Sequence, residues 1–185
     1  MRTYINHDYE VAHMAELLGR NLQYGLRATN AKVPLHVEFE KAGEYMTLVV
    51  NHYGDRVRFI SHLDDSIRDC MVVKLLLQPL IENAIQHGIT PDRELTIEVL
   101  GYAGGDDVIC LQVSDDGEGM TSEAQEALMR RLEDDSGEGS IGLRNVHRRL
   151  RLRYGPAYGV SIRSIPHQST VVTLTLPKEY RKEDV

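Results

Sequence analysis

Apolar positions recur every three or four residues in two early stretches. From about Asp8 to Arg27, Val11, Met14, Leu17 or Leu18, Leu22 and Leu26 share one face, which predicts a helix. Ala31-Lys32-Val33-Pro34 breaks that period. Pro34 suits the first turn of a second helix, which carries Val37, Tyr45, Leu48 and Val49 toward Asn51. After Gly54-Asp55, the residues Val57, Phe59 and Ile60 lead to Leu63 as a strand, and Asp64 to Asp69 is a polar connection. Met71 to His87 holds an apolar run and then a helix, closed by Gly88 as a C-terminal cap. Leu95 to Leu100 and Val108 to Val113 alternate like paired strands around a Gly104-Gly105-Asp106 turn. Ser122 opens a short helix, with Gln125 placed to complete a capping box. Glu133 to Ser140 is acidic and small, a loop. Ile141 to Tyr154 is helical, with Leu143, Val146 and Leu150 on one face and Gly155-Pro156 ending it. Gly159 to Ile165 and Thr170 to Leu176 form a last hairpin, and the charged tail from Lys178 is expected to fray.

This order of elements predicts an α/β fold: a two-layer sandwich of a mixed, largely antiparallel sheet with helices on one face, preceded by a helical segment. Length agrees, since 185 residues hold one domain plus an appendage. A net charge of −7 gives no general attraction to nucleic acid or to an anionic membrane, although a local site can still hold phosphate. Cys70 and Cys110 lie in apolar surroundings without the further ligands a metal site needs, and are read as reduced core residues. No stretch reaches the ~18 apolar residues of a membrane span.

Three clusters carry chemistry. In Gln78-Pro79-Leu80-Ile81-Glu82-Asn83-Ala84-Ile85-Gln86-His87-Gly88, Asn83 and His87 share a helix face, beside a polar row of Gln78, Glu82 and Gln86. An asparagine carbonyl is a hard oxygen ligand suited to magnesium, which otherwise takes water and phosphate. Taken alone, the cluster is equally a solvent-facing stripe. Asp115-Asp116-Gly117-Glu118-Gly119-Met120 follows a strand directly. A carboxylate there can accept from an exocyclic amine, the glycines permit close approach, and Met120 can pack on a flat ring. Alone, it is equally a tight turn. Gly137-Glu138-Gly139-Ser140-Ile141-Gly142-Leu143 is a glycine-rich run into a helix, whose free N–H groups favour a polyphosphate. It is neither a P-loop nor a dinucleotide fingerprint, and alone it is equally a flexible linker.

The order of the three resembles the N, G1 and G2 boxes of the GHKL ATPase superfamily, which includes histidine kinases, gyrase-type topoisomerases, Hsp90 and MutL. LLLQPLIENAIQHGI, VSDDGEGM, IGLRNVHRRLRLRYG and the closing SIRSIPHQSTVVTLTLP are most similar to LytS/YesM-type sensor histidine kinases. The preceding MAELLGRNLQYGL resembles the segment between that group's phosphoacceptor motif and its ATPase domain.

The resemblance implies a Bergerat-type ATP-binding fold with ATP and Mg2+ as ligands. It implies that Asn83 holds the magnesium and Asp115 reads the adenine amine. Gly117, Gly119 and Met120 would lie beside the nucleotide. Gly139, Ser140, Gly142 and Leu143 would form the lid over the phosphates, and Thr170 would support adenine recognition. His87 would approach the phosphates or ribose, and Glu82 would order a magnesium-bound water, as candidate catalytic groups. Ser140 stands where the group usually has glycine, which implies a stiffer lid, and Ser169 replaces the usual glycine before Thr170. No PHFLFN-like phosphoacceptor motif occurs, and neither His7 nor His13 is followed by such a run.

The expectation is therefore a cytoplasmic ATP-binding catalytic domain of a two-component histidine kinase. It would donate the γ-phosphate to a histidine outside the chain and would not autophosphorylate alone. Residues 1–31 would be a remnant of the dimerisation helices, 32–178 the ATPase domain and 179–185 a charged tail. Partners would be a response regulator and, in the full-length protein, a second copy, with the membrane met only through upstream segments. The alternatives are a GHKL-type ATPase driving a conformational cycle, or a non-catalytic anti-sigma-like nucleotide sensor. Pro79 stands where gyrase-like members carry a glutamate, which counts against the first.

Overall fold

The computed structural model describes residues 31–90, 92–133 and 141–181. The expected helix from Asp8 to Arg27 and the loop residues Gly139 and Ser140 lie outside the described residues. The chain enters as a short strand β1 (Lys32–Pro34) and passes directly into helix α1 (Leu35–Tyr53). Strand β2 (Val57–Leu63), a single 3-10 turn and strand β3 (Met71–Val73) lead to helix α2 (Leu77–Gly88). Strands β4 (Leu95–Ala103) and β5 (Val108–Asp115) form a hairpin. Helices α3 (Ser122–Glu133) and α4 (Ile141–Tyr154) precede the last hairpin, β6 (Gly159–Ile165) and β7 (Ser169–Pro177).

Five strands make one sheet in the order β2-β4-β5-β7-β6, while β1 and β3 pair separately and antiparallel. Among the described residues only β2 and β4 run parallel; the other neighbours are antiparallel. The alternation expected of a half-buried sheet is strict. Leu95, Ile97 and Val99 of β4, Ile109, Leu111 and Val113 of β5, and Val172, Leu174 and Leu176 of β7 are all buried. Against this face pack α1 on β2, α2 on β4 and β5, and α4 on β6 and β7, so the two-layer arrangement is the one expected from the pattern.

Several local expectations need correcting. The buried stripe of α1 is Leu35, Phe39, Ala42, Met46 and Val49; Val49 lies there as expected, whereas Val37, Tyr45 and Leu48 are only partly buried at its edge. Gly88 does not cap α2. It is the last helical residue, it is buried, and a Cβ there would stand 2.6 Å from Leu95 Cδ1. Thr121, not Ser122, caps α3, its Oγ1 accepting from Ala124 N at 3.3 Å. Gln125 turns away from that cap and accepts from Ser164 N at 2.9 Å. Cys70 is buried as expected, but Cys110 lies on the uncovered face of the sheet, since its neighbours Ile109 and Leu111 point inward. The start of the tail does not fray. Lys178 N donates to Asp107 O at 2.8 Å and Met71 N to Glu179 O at 2.7 Å, and Lys32 pairs with Glu179.

Candidate nucleotide site

Strand β5 ends on Asp115, whose inward position makes it a buried carboxylate, only 8% exposed. Gly117 N donates to Asp115 Oδ1 at 3.0 Å, and the Thr170 N–H donates from β7, where Thr170 is the register partner of Asp115. Burial pushes the Asp115 carboxyl up to about 6. The two backbone N–H groups and the Arg93 guanidinium oppose that rise, and Asp116 adds to it. A buried carboxylate that makes no salt bridge among the described residues costs stability, which makes Asp115 a candidate for a functional role.

The loop after β5 is held from three directions. Asp116 Oδ1 accepts from Thr96 N at 2.7 Å, which ties the loop to the start of β4. Arg93 Nη1 donates to Gly117 O at 3.3 Å. Met120 N donates to Ser164 Oγ at 2.8 Å, and His167 N to Glu118 O at 2.5 Å, so the far side rests on the β6–β7 hairpin. Gly119 has φ +60, and a Cβ there would stand 2.0 Å from Ile165 O, so only glycine fits. Gly117 is equally constrained: its Cβ would stand 2.7 Å from Gly88 Cα. Two backbones therefore meet at Gly88 and Gly117, which brings the end of α2 against the Asp115 loop.

Helix α2 presents Asn83, which is buried at 9% exposure. Among the described residues no three His, Cys, Asp or Glu side chains converge on a common point. A divalent ion at Asn83 would thus take one protein oxygen and complete its shell from phosphate and water, the habit of magnesium. Pro79 lies one turn before Asn83, and its Cβ stands 3.2 Å from where a Cβ on Gly142 would be, so the start of α4 leans on this face of α2.

Asp115, Gly117, Gly119, Met120 and Thr170 are thus drawn together, and Asn83 lies on the same helix as Gly88, the residue that meets Gly117. Thr170 is buried, with its Oγ1 3.0 Å from Ser164 Oγ. Leu143 is fully buried with Val146 and Leu150, so its side chain belongs to the core. Glu82 is exposed and accepts from Gln78 Nε2 at 2.8 Å, and after burial its charge helps push the Tyr45 phenol of α1 up to about 12. His87 is exposed at the end of α2. Ser164, Arg93 and Asp116 were not found from the sequence. Only the β6–β7 register, which sets Ser164 opposite Thr170, reveals the first of them. A cavity of 390 Å³ lies elsewhere, between α3 and α4, lined by Glu133, Arg144, His147 and Arg148 among others.

A family model described as histidine kinase-, DNA gyrase B-, and HSP90-like ATPase matches residues 69–180. The chain belongs to that family. Its similarity within the family is to sensor histidine kinases of the YesM type. It is 32% identical over 173 residues to sensor histidine kinase YesM of Bacillus subtilis, covering 93% of this chain and 28% of that protein. It is 29% identical to sensor histidine kinase YpdA of Escherichia coli, covering 88% of this chain and 28% of that one. It is 27% identical to sensor protein kinase HptS of Staphylococcus aureus, covering 93% and 33%. The chain thus spans a third or less of these relatives. Among solved structures, the catalytic domain of histidine kinase ThkA aligns with a TM-score of 0.60 at 15% identity, covering 80% of this chain and 95% of that one. A mycobacterial sensor histidine kinase, MprB, aligns with a TM-score of 0.57 at 14% identity, covering 82% and 99%. At such identities the likeness establishes the fold. No helix among the described residues is long and apolar enough to cross a membrane.

Proposed function

We propose that this chain is the ATP-binding catalytic module of a sensor histidine kinase, holding Mg-ATP and presenting the γ-phosphate to a histidine outside residues 32–178. The observation that carries the reading is Asp115. It is a buried carboxylate with one oxygen held by Gly117, on a loop whose shape depends on two glycines that tolerate no side chain.

In this reading Asp115, once ionised, accepts the exocyclic amine of adenine. Thr170 is braced by Ser164 at its side, and Met120 lies against the ring. Asn83 supplies its amide oxygen to magnesium, which neutralises phosphate charge when bound. Gly142, at the start of α4, would offer its backbone N–H to the phosphates, and the family resemblance assigns Gly139 and Ser140 to the same lid. His87 ends the helix face that Asn83 begins and would meet phosphate or ribose. Glu82, whose carboxylate accepts from Gln78, would order a magnesium-bound water. Hydrolysis as a primary activity would need a base beside Asn83, and Pro79 occupies the position one turn before it without a carboxylate. The full-length protein would be dimeric, pass its phosphate to an aspartate of a response regulator, and reach the membrane through segments outside the described residues.

Base selectivity tests this. Guanine presents a carbonyl oxygen where adenine presents its amine, and an ionised Asp115 repels it. Displacement of a fluorescent ATP analogue should favour ATP over GTP by at least tenfold, since a site built to bond a donor leaves buried groups unpaired against the wrong partner. Equal displacement by the two would contradict the assignment.

A further inference from the structure

Helix α2 has no cap of its own. Leu76 stands at the N-cap position with helical dihedrals and makes no side-chain bond to the helix. Its free N–H groups are met from another element. Glu38 of α1, 2% exposed, accepts from Leu75 N and Leu76 N at 2.8 Å each and from Leu77 N at 3.4 Å. A carboxylate on the free N–H groups at the positive end of a helix is a strong form of capping, and burial strengthens it further.

The turn that Glu38 holds is strained. Leu75 has φ 59, a left-handed conformation that a residue with a large side chain avoids. It is gripped on both sides: Glu38 takes its N–H, and Arg149 Nη2 of α4 donates to its carbonyl at 2.9 Å and to that of Lys74 at 2.7 Å. Upstream, β1 pairs with β3, and Lys74 N donates to Ala31 O at 3.3 Å. Glu38 itself lies in the first turn of the helix that continues from β1. Residues 74–77 are therefore where three things meet: the segment entering the domain, the helix carrying Asn83, and the helix that follows the lid. Asn83 lies six residues beyond Leu77, about 9 Å along α2.

We propose that Glu38 is a positioning residue for the nucleotide site. It fixes the height and direction of α2, and so of Asn83, relative to the entry strand. Through the shared Leu75 turn it fixes them relative to α4 as well. This rests on the reading of Asn83 as the magnesium ligand, and the test separates the two.

Affinity for a non-hydrolysable ATP analogue is measured by calorimetry with and without magnesium, on the unaltered chain and on Glu38→Ala, Glu38→Gln and Asn83→Ala. The magnesium-dependent gain in affinity is the readout, because a residue that merely stabilises the fold lowers the melting temperature and leaves that gain alone. In folded Glu38→Ala the gain should fall about tenfold, since even a small misplacement of a binding group by a distant substitution is costly. Glu38→Gln, which keeps one acceptor oxygen, should lose less. A folded Glu38→Ala with the full gain overturns the proposal. Should that variant fail to fold, Glu38→Gln decides: a reduced gain supports the proposal and an unchanged one overturns it. If Asn83→Ala removes the gain and the Glu38 variants keep it, only the role of Glu38 falls. If Asn83→Ala keeps it, the reading of Asn83 falls and this proposal with it.

Discussion

Asp115 is a residue whose burial works against folding at neutral pH. Its carboxyl is raised to about 6 by burial, so between the ordinary aspartate value and about 6 the folded chain binds more protons than the unfolded one. The ionised group therefore weakens the fold above about 6, and that penalty is relieved as pH falls through this window. Asp115→Asn should raise the melting temperature at pH 7, and the difference from the unaltered chain should shrink by pH 4. His147 acts in the opposite sense. Its Nδ1 accepts from Val160 N at 3.1 Å, and burial lowers its pKa, so its contribution to stability is lost as pH falls below the ordinary histidine range. A melt of His147→Asn should accordingly lose the acid-side decline and keep the Asp115 effect.

The loop between β5 and α3 acts as an element only because backbone meets backbone at both of its glycines. Gly119→Ala places a Cβ on the Ile165 carbonyl at a positive φ, and Gly117→Ala places one on the α2 backbone at Gly88. Either should lower stability by about 1–3 kcal/mol in a denaturant titration and disturb nucleotide binding. Gly88→Ala should be milder, because its nearest obstacle is the movable end of Leu95. The elements themselves were legible in advance, since their periodicity of two or 3.6 follows directly from which face is buried. The site's motifs were legible too, as local runs of asparagine, aspartate and glycine. What joins them was not. Ser164 against Thr170, Arg93 against Gly117 and Glu38 under α2 are contacts across 6, 24 and 37 or more residues, set by sheet register and helix packing rather than by spacing. The same distance explains the Gly88 error: a glycine at a helix end reads as a cap until the strand packed against it is known.

At the scale of the molecule, one open sheet and one helical layer place the strand-end carboxylate, the asparagine-bearing helix α2 and helix α4 on the same side. The chain belongs to the histidine kinase-, gyrase- and Hsp90-like ATPases, yet it carries no phosphoacceptor motif of the PHFLFN type. Incubated alone with radiolabelled ATP, it should acquire no acid-labile phosphohistidine, and stable labelling of His7 or His13 would refute that. The central claim is that Asp115 exists for the nucleotide and not for the fold. Calorimetry of Asp115→Asn with a non-hydrolysable ATP analogue and magnesium at pH 7 addresses it most directly. Affinity should drop at least tenfold in a protein that melts no lower than the unaltered chain. Unchanged affinity, or a loss that merely follows unfolding, would contradict it.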